Sequence, residues 1–138
     1  MPFLDQFIIA SSATPNGASW DLVGASFDLI EVAAVPVQTN FALLVSVLQS
    51  PEEARDEHRL TVTLRDPNGV AVGGITADMP PATESQVAQR PEIERARSEA
   101  VLTARGAVFP SFGRYELHVE WDGVALREPM ALYVLHAE

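Results

Sequence analysis

The stretch Phe109-Pro110-Ser111-Phe112-Gly113-Arg114-Tyr115-Glu116-Leu117-His118-Val119-Glu120-Trp121-Asp122-Gly123 constrains this chain more than any other. Pro110 has a fixed φ and no N–H to give a ladder, and Gly113 tolerates a positive φ, so the stretch opens on a corner. A strict period of two follows. Tyr115, Leu117, Val119 and Trp121 fall on one side, and Arg114, Glu116, His118 and Glu120 on the other. That is a strand with one face against a core and one in water. Asp122-Gly123 then suits a tight hairpin turn into a last strand. Because the inner face must be covered by a second apolar layer, the stretch points to packed sheets.

The rest of the chain repeats this grammar. Residues 3–11 and 19–31 read as strands, with Thr14-Pro15-Asn16-Gly17 as the turn between them and Gly24 marking a bulge or a close backbone approach. Val35-Pro36 ends that pairing. Residues 38–49 are the most apolar run: Phe41, Leu43, Val45 and Val47 share one face, yet Ala42, Leu44 and Leu48 occupy the other. A strand apolar on both faces needs cover on both, so Ala42, Leu44 and Leu48 are the candidate interface for a second subunit or a local helix. Ser50-Pro51-Glu52-Glu53 is a helix-start signature, with Ser50 as cap, Pro51 at the first position and Glu53 closing a capping box. The helix is short, since His58 begins a strand in which Leu60, Val62 and Leu64 alternate with Arg59, Thr61, Thr63 and Arg65.

Asp66-Pro67-Asn68-Gly69 is a turn, and the parity change between Val70/Val72 and Ile75/Ala77/Met79 predicts a β-bulge at Gly73-Gly74. Residues 80–97, the most charged segment, are expected to form a short helix, a lid or a mobile crossover loop. Strands resume over 99–108 and end near 125–136, where Pro129 requires an edge or a fresh start at Met130. The expected fold is one all-β domain over residues 1–138, an immunoglobulin-like antiparallel β-sandwich of seven or eight strands with one or two short helices in loops. A barrel with a ligand cavity is the alternative. In the sandwich, Tyr115 after its Pro/Gly corner is a tyrosine corner, its hydroxyl bonded to nearby backbone.

Three segments resemble a family of small bacterial immunoglobulin-like proteins catalogued as a domain of unknown function. They are Trp20-Asp21-Leu22-Val23-Gly24-Ala25-Ser26-Phe27-Asp28-Leu29-Ile30, Leu64-Arg65-Asp66-Pro67-Asn68-Gly69, and Phe109 to Gly123. The resemblance implies a β-sandwich and carries no catalytic residue. The segment 80–97 is longer and more helical in character than that family implies.

Composition narrows the function classes. With 9 basic residues against 19 acidic ones the net charge is −10, which opposes binding to nucleic acid and to anionic membranes. There is no cysteine, so disulfides and thiol chemistry are excluded and a cytoplasmic setting fits. Asp5 and Gln6 interrupt the first apolar run, which removes a signal peptide from the reading, and no apolar run approaches the ~20 residues of a membrane span.

Candidate chemistry is sparse. His118 and Glu120, with Glu116 extending the row, share one strand face, but a metal site needs three or four converging donors. His58 and His136 read as surface residues. Glu52, Glu53, Asp56 and Glu57 with Arg55 and Arg59 read as a solvated face. Ser12, Ser26, Ser46 and Ser111 lack a nucleophile context, Gly69, Gly73 and Gly74 precede no helix that could cradle phosphate, and Trp20 and Trp121 suit packing. No catalytic residue, metal or cofactor is expected. The expected role is a non-catalytic interaction or structural module with a protein partner or a second copy of itself. A small-ligand-binding sandwich with residues 80–97 as lid is the alternative.

Overall fold

The alternating segments become strands. In a computed structural model, which describes residues 2–16, 19–26, 28–81 and 96–137, they are β1 (Phe3–Ala10), β2 (Ser12–Asn16), β3 (Ser19–Val23), β4 (Leu29–Val32), β5 (Val37–Gln49), β6 (His58–Arg65), β7 (Ala71–Met79), β8 (Ala96–Phe109), β9 (Gly113–Trp121), β10 (Val124–Ala125) and β11 (Met130–His136). A 3₁₀ turn, Glu53–Arg55, joins β5 to β6, and the described residues contain no α-helix.

Three sheets result among the described residues. One runs β1-β5-β8, a second β4-β11-β9-β6-β7 with β10 hairpinned onto β9, and a third is the pair β2-β3. The pairings are antiparallel except β4 with β11, which is parallel, so the sheets are mixed, and one curls into a half-barrel. The core lies between the two larger sheets. Tyr115, Leu117, Val119 and Trp121 of β9, Leu60, Val62 and Leu64 of β6, and Leu132 and Val134 of β11 cluster with Phe41, Leu43, Val45 and Val47 of β5, Leu102 and Phe109 of β8, and Ile9 of β1. Each such side chain taken fully out of water contributes about 1.5–3 kcal/mol.

Local signals act as their chemistry requires. Ser50 Oγ accepts the Glu53 N–H at 3.1 Å while the Glu53 carboxylate accepts the Ser50 N–H at 3.1 Å, a reciprocal capping box. Asp66 Oδ1 accepts the N–H groups of Asn68 and Val70, both at 2.9 Å, and Gly69 takes φ +83°. The Tyr115 hydroxyl donates to the Ser111 carbonyl at 2.8 Å and accepts the Ser111 N–H at 3.1 Å, while its fully buried ring stands edge-on to Phe109. Gly113 has φ +133°, and a Cβ there would lie 2.8 Å from the Pro67 ring, so this corner admits only glycine without strain. Pro129 precedes β11, which starts afresh at Met130.

Several expectations are corrected. Among the described residues eleven strands form rather than seven or eight, in mixed rather than wholly antiparallel sheets. Residues 19–31 are not one strand: the chain breaks at Gly24 and Ser26, both with φ +63°, and β3 and β4 join different sheets. The close approach expected at Gly24 is there, since a Cβ would sit 2.6 Å from Ser11 Oγ. Thr14, Pro15 and Asn16 lie within β2, paired to Asp21, Trp20 and Ser19, instead of forming a turn; Gly17 is outside the described residues.

The bulge of β7 sits at Val72, between Ala71, opposite Arg65, and Gly73, opposite Leu64; Gly73 and Gly74 stay in register. The parity change was legible, but its location depends on the partner strand. Of the segment 80–97, residues 82–95 lie outside the described residues, and from Ala96 the chain is already β8.

Candidate functional site

Two strands end their sheets close to each other: β7 at the edge of the larger sheet and β8 at the edge of the three-stranded one. Between them opens a cleft of about 500 Å³. Its floor is Phe41, Leu43, Val62, Leu64 and Leu117, side chains of the core itself, and its walls are Val72 to Ile75 and Thr103 to Val108. The walls are low because glycines stand in them. A Cβ on Gly73 or Gly106 would meet nothing within 4 Å. Gly106 has φ +65° and donates its N–H to Asn40 Oδ1 at 2.7 Å, where both β5 and β8 leave regular register.

Among the described residues β7 pairs only with β6, and β8 only with β5, so each offers a row of backbone groups toward the cleft side. Natural edges are usually blunted by charge or proline. β7 has no Lys, Arg or Pro, and its one charge, Asp78, is paired with Arg59 at 3.0 Å. Arg105 stands in the cleft wall without a hydrogen bond or ion pair among the described residues.

The face named from the sequence, Ala42, Leu44 and Leu48, is largely buried. Ala42 and Leu44 are 2% and 8% exposed and Leu48 is half-buried, so within one chain this face of β5 retains little surface to offer. Ser46, on the same side, lies 3.5 Å from Asp5 of β1.

The His118 row remains an outward strand face. His118 Nε2 is 3.5 Å from Glu116 Oε1, short of a hydrogen bond, and Glu116 is engaged by Arg114 at 3.1 Å. No group of three or more His, Cys, Asp or Glu among the described residues is placed to hold a metal ion. His136 is exposed, with its ring edge-on to Phe112.

His58 corrects the reading of a surface residue. Its side chain is only 12% exposed and its ring stacks on Trp121, with centroids 5.0 Å apart. Nδ1 lies 2.6 Å from Asp122 Oδ2 and Nε2 lies 2.6 Å from the Glu53 carbonyl oxygen. Burial disfavours the charged ring, but the hydrogen bonds to Asp122 and to the Glu53 carbonyl outweigh it and raise the pKa above its ordinary value. Asp122 is held below the usual carboxylate range by the bond from His58 and then by the Arg59 N–H at 2.8 Å. Nothing near His58 in sequence announces this, since Asp122 lies 64 residues away.

A family model matches residues 5–134. The chain belongs to DUF6941, a family of unknown function. No curated protein matches the DUF6941 chain. Two places stand out in its geometry: the apolar cleft between edge strands, and the enclosed His58. No helix of the described residues is long and apolar enough to cross a membrane.

Proposed function

We propose that this DUF6941 chain is a non-catalytic interaction module that takes an extended segment of a partner protein into the cleft between β7 and β8. The observation that carries the reading is the meeting of two edge strands over an apolar floor. An added strand gains main-chain hydrogen bonds from an edge, and its alternate side chains settle on Phe41, Leu43, Val62 and Leu64, as in β-strand addition. The low glycine walls leave room for its backbone. The net charge of −10 favours a segment flanked by basic residues and disfavours nucleic acid and anionic membranes. A cytoplasmic setting goes with a chain that has no cysteine.

The immunoglobulin-like reading belongs to the same proposal. In that reading the order β11-β9-β6-β7 would correspond to G-F-C-C′ of a variable-type domain and β1-β5-β8 to A-B-E, with Tyr115 near the start of the strand that would be F. In that scheme β7 is the exposed C′ edge.

Selection of peptides from a displayed library on the immobilised protein tests the reading, followed by hydrogen exchange on the complexes. Protection of β7 and β8 amides is expected, with affinity lost in Gly73→Val, whose added side chain enters the cleft from open space. Protection elsewhere, or unchanged affinity in Gly73→Val, would overturn it. Self-association through the same edge would appear as a concentration-dependent dimer in light scattering.

A small ligand is the second reading, favoured by one observation: the cleft volume lies within the roughly 300–1,000 Å³ of small-molecule sites. Arg105, unpaired among the described residues, suits a carboxylate on an otherwise apolar compound. In a thermal-shift screen such a compound at a hundred times its Kd stabilises the fold by about 2.7 kcal/mol.

A further inference from the structure

We propose that His58 is a proton-operated latch between the turn at residues 50–56 and the β9–β10 hairpin: charged, it holds both, and on losing a proton it releases the turn. The latch is independent of the cleft and of what the cleft binds.

The geometry sets the protonation state. The Glu53 carbonyl oxygen only accepts hydrogen bonds, and the ionised Asp122 carboxylate only accepts, yet each lies 2.6 Å from a different nitrogen of one ring. A neutral imidazole has one N–H and one lone pair, so it would set a lone pair against an oxygen at one of the two contacts. Both contacts are attractive only in the imidazolium. The stacked face of Trp121 favours the same form, since an aromatic ring attracts a cation over its face.

The surrounding charges agree. Asp122 approaches from the hairpin, and Asp56 and Glu53 belong to the turn, the Glu53 carboxylate being in its capping box. The neighbouring cation on β6, Arg59, is diverted to Asp78 of β7, and the β7 residue opposite His58 is Met79.

Which side lets go follows from the ties each has of its own. Asp122 is anchored to β6 twice besides the ring, through Arg59 N–H to Oδ1 at 2.8 Å and its own N–H to the Arg59 carbonyl at 2.8 Å. The bond from Nδ1–H to a carboxylate is also stronger than one to a neutral carbonyl. The remaining proton therefore stays on Nδ1, and the Glu53 contact is lost. The capping box then holds the turn to itself but no longer to the hairpin.

NMR tests this on the intact protein, with ¹⁵N-labelled histidines followed between about pH 5 and 9, the range in which imidazoles titrate. His58 is expected to carry protons on both nitrogens at a pH above 6.5, the ordinary imidazole value, and its remaining proton above the transition should be on Nδ1. Across the same transition, exchange protection of Ala54, Arg55 and Asp56 should fall several-fold while that of Asp122 holds. Asp122→Asn should move the midpoint down. A ring neutral at pH 6, or turn protection that ignores the His58 transition, would overturn the latch. The wild-type titration decides this even if the variant fails to fold.

Discussion

Removing one oxygen from Tyr115 tests whether the corner before β9 is held as described. Tyr115→Phe keeps the buried ring and its edge-on contact with Phe109, whose centroid is 5.1 Å away. What it deletes is a hydroxyl that donates to the Ser111 carbonyl at 2.8 Å and accepts the Ser111 N–H at 3.1 Å. Two such bonds have a net value of about 1 kcal/mol each. Ser111 is half-buried, so its freed backbone groups can recover part of that from water, and the expected loss is about 1.5 kcal/mol. For a domain of this size that lowers Tm by about 5 °C. Thermal unfolding followed by circular dichroism, with urea unfolding to check that m is unchanged, measures it. Tyr115→Ala, which also removes the ring, should cost about 3–5 kcal/mol. If Tyr115→Phe unfolds within 1 °C of the parent, the hydroxyl is not what ties the corner.

The other predictions concern neighbouring ties. Gly113→Ala forces a Cβ to 2.8 Å from Pro67 at φ +133°, and should destabilise by about 2 kcal/mol; Pro67→Ala in the same chain should recover the steric part but not the backbone strain. Ser50→Ala should cost about 1 kcal/mol by opening the capping box, measured by urea unfolding, while Glu53→Gln, which can still accept the Ser50 N–H, should cost less. The His58–Asp122 pair makes stability depend on pH at both ends. With the His58 pKa raised, its contribution is full below pH 6.5 and is lost as pH rises through the folded-state value. With that of Asp122 lowered, its contribution is present above about 3.8 and is lost as pH falls through the folded-state value. Chemical denaturation across pH should therefore show a loss on the alkaline side that is absent in His58→Gln.

The sequence by itself determined everything that a few adjacent residues can settle. The alternation of β6 and β9 declares which side chains face the core, because successive residues of a strand point to opposite faces. The Ser50–Glu53 box, the Asp66–Gly69 turn and the Tyr115 bond to Ser111 span only three or four residues, so residue types at fixed spacing specify them. The tertiary structure decided whatever depends on which distant strand lies alongside. It sent β3 and β4 to different sheets across Gly24, paired β4 with β11 in parallel, and set the β7 bulge at Val72. It also brought Asp122 to His58, and left β7 and β8 as edges over an apolar floor. These outcomes turn on contacts between segments far apart in the chain. Their energy comes largely from burial, which is non-directional: a local pattern declares that a face is buried but not which distant strand covers it.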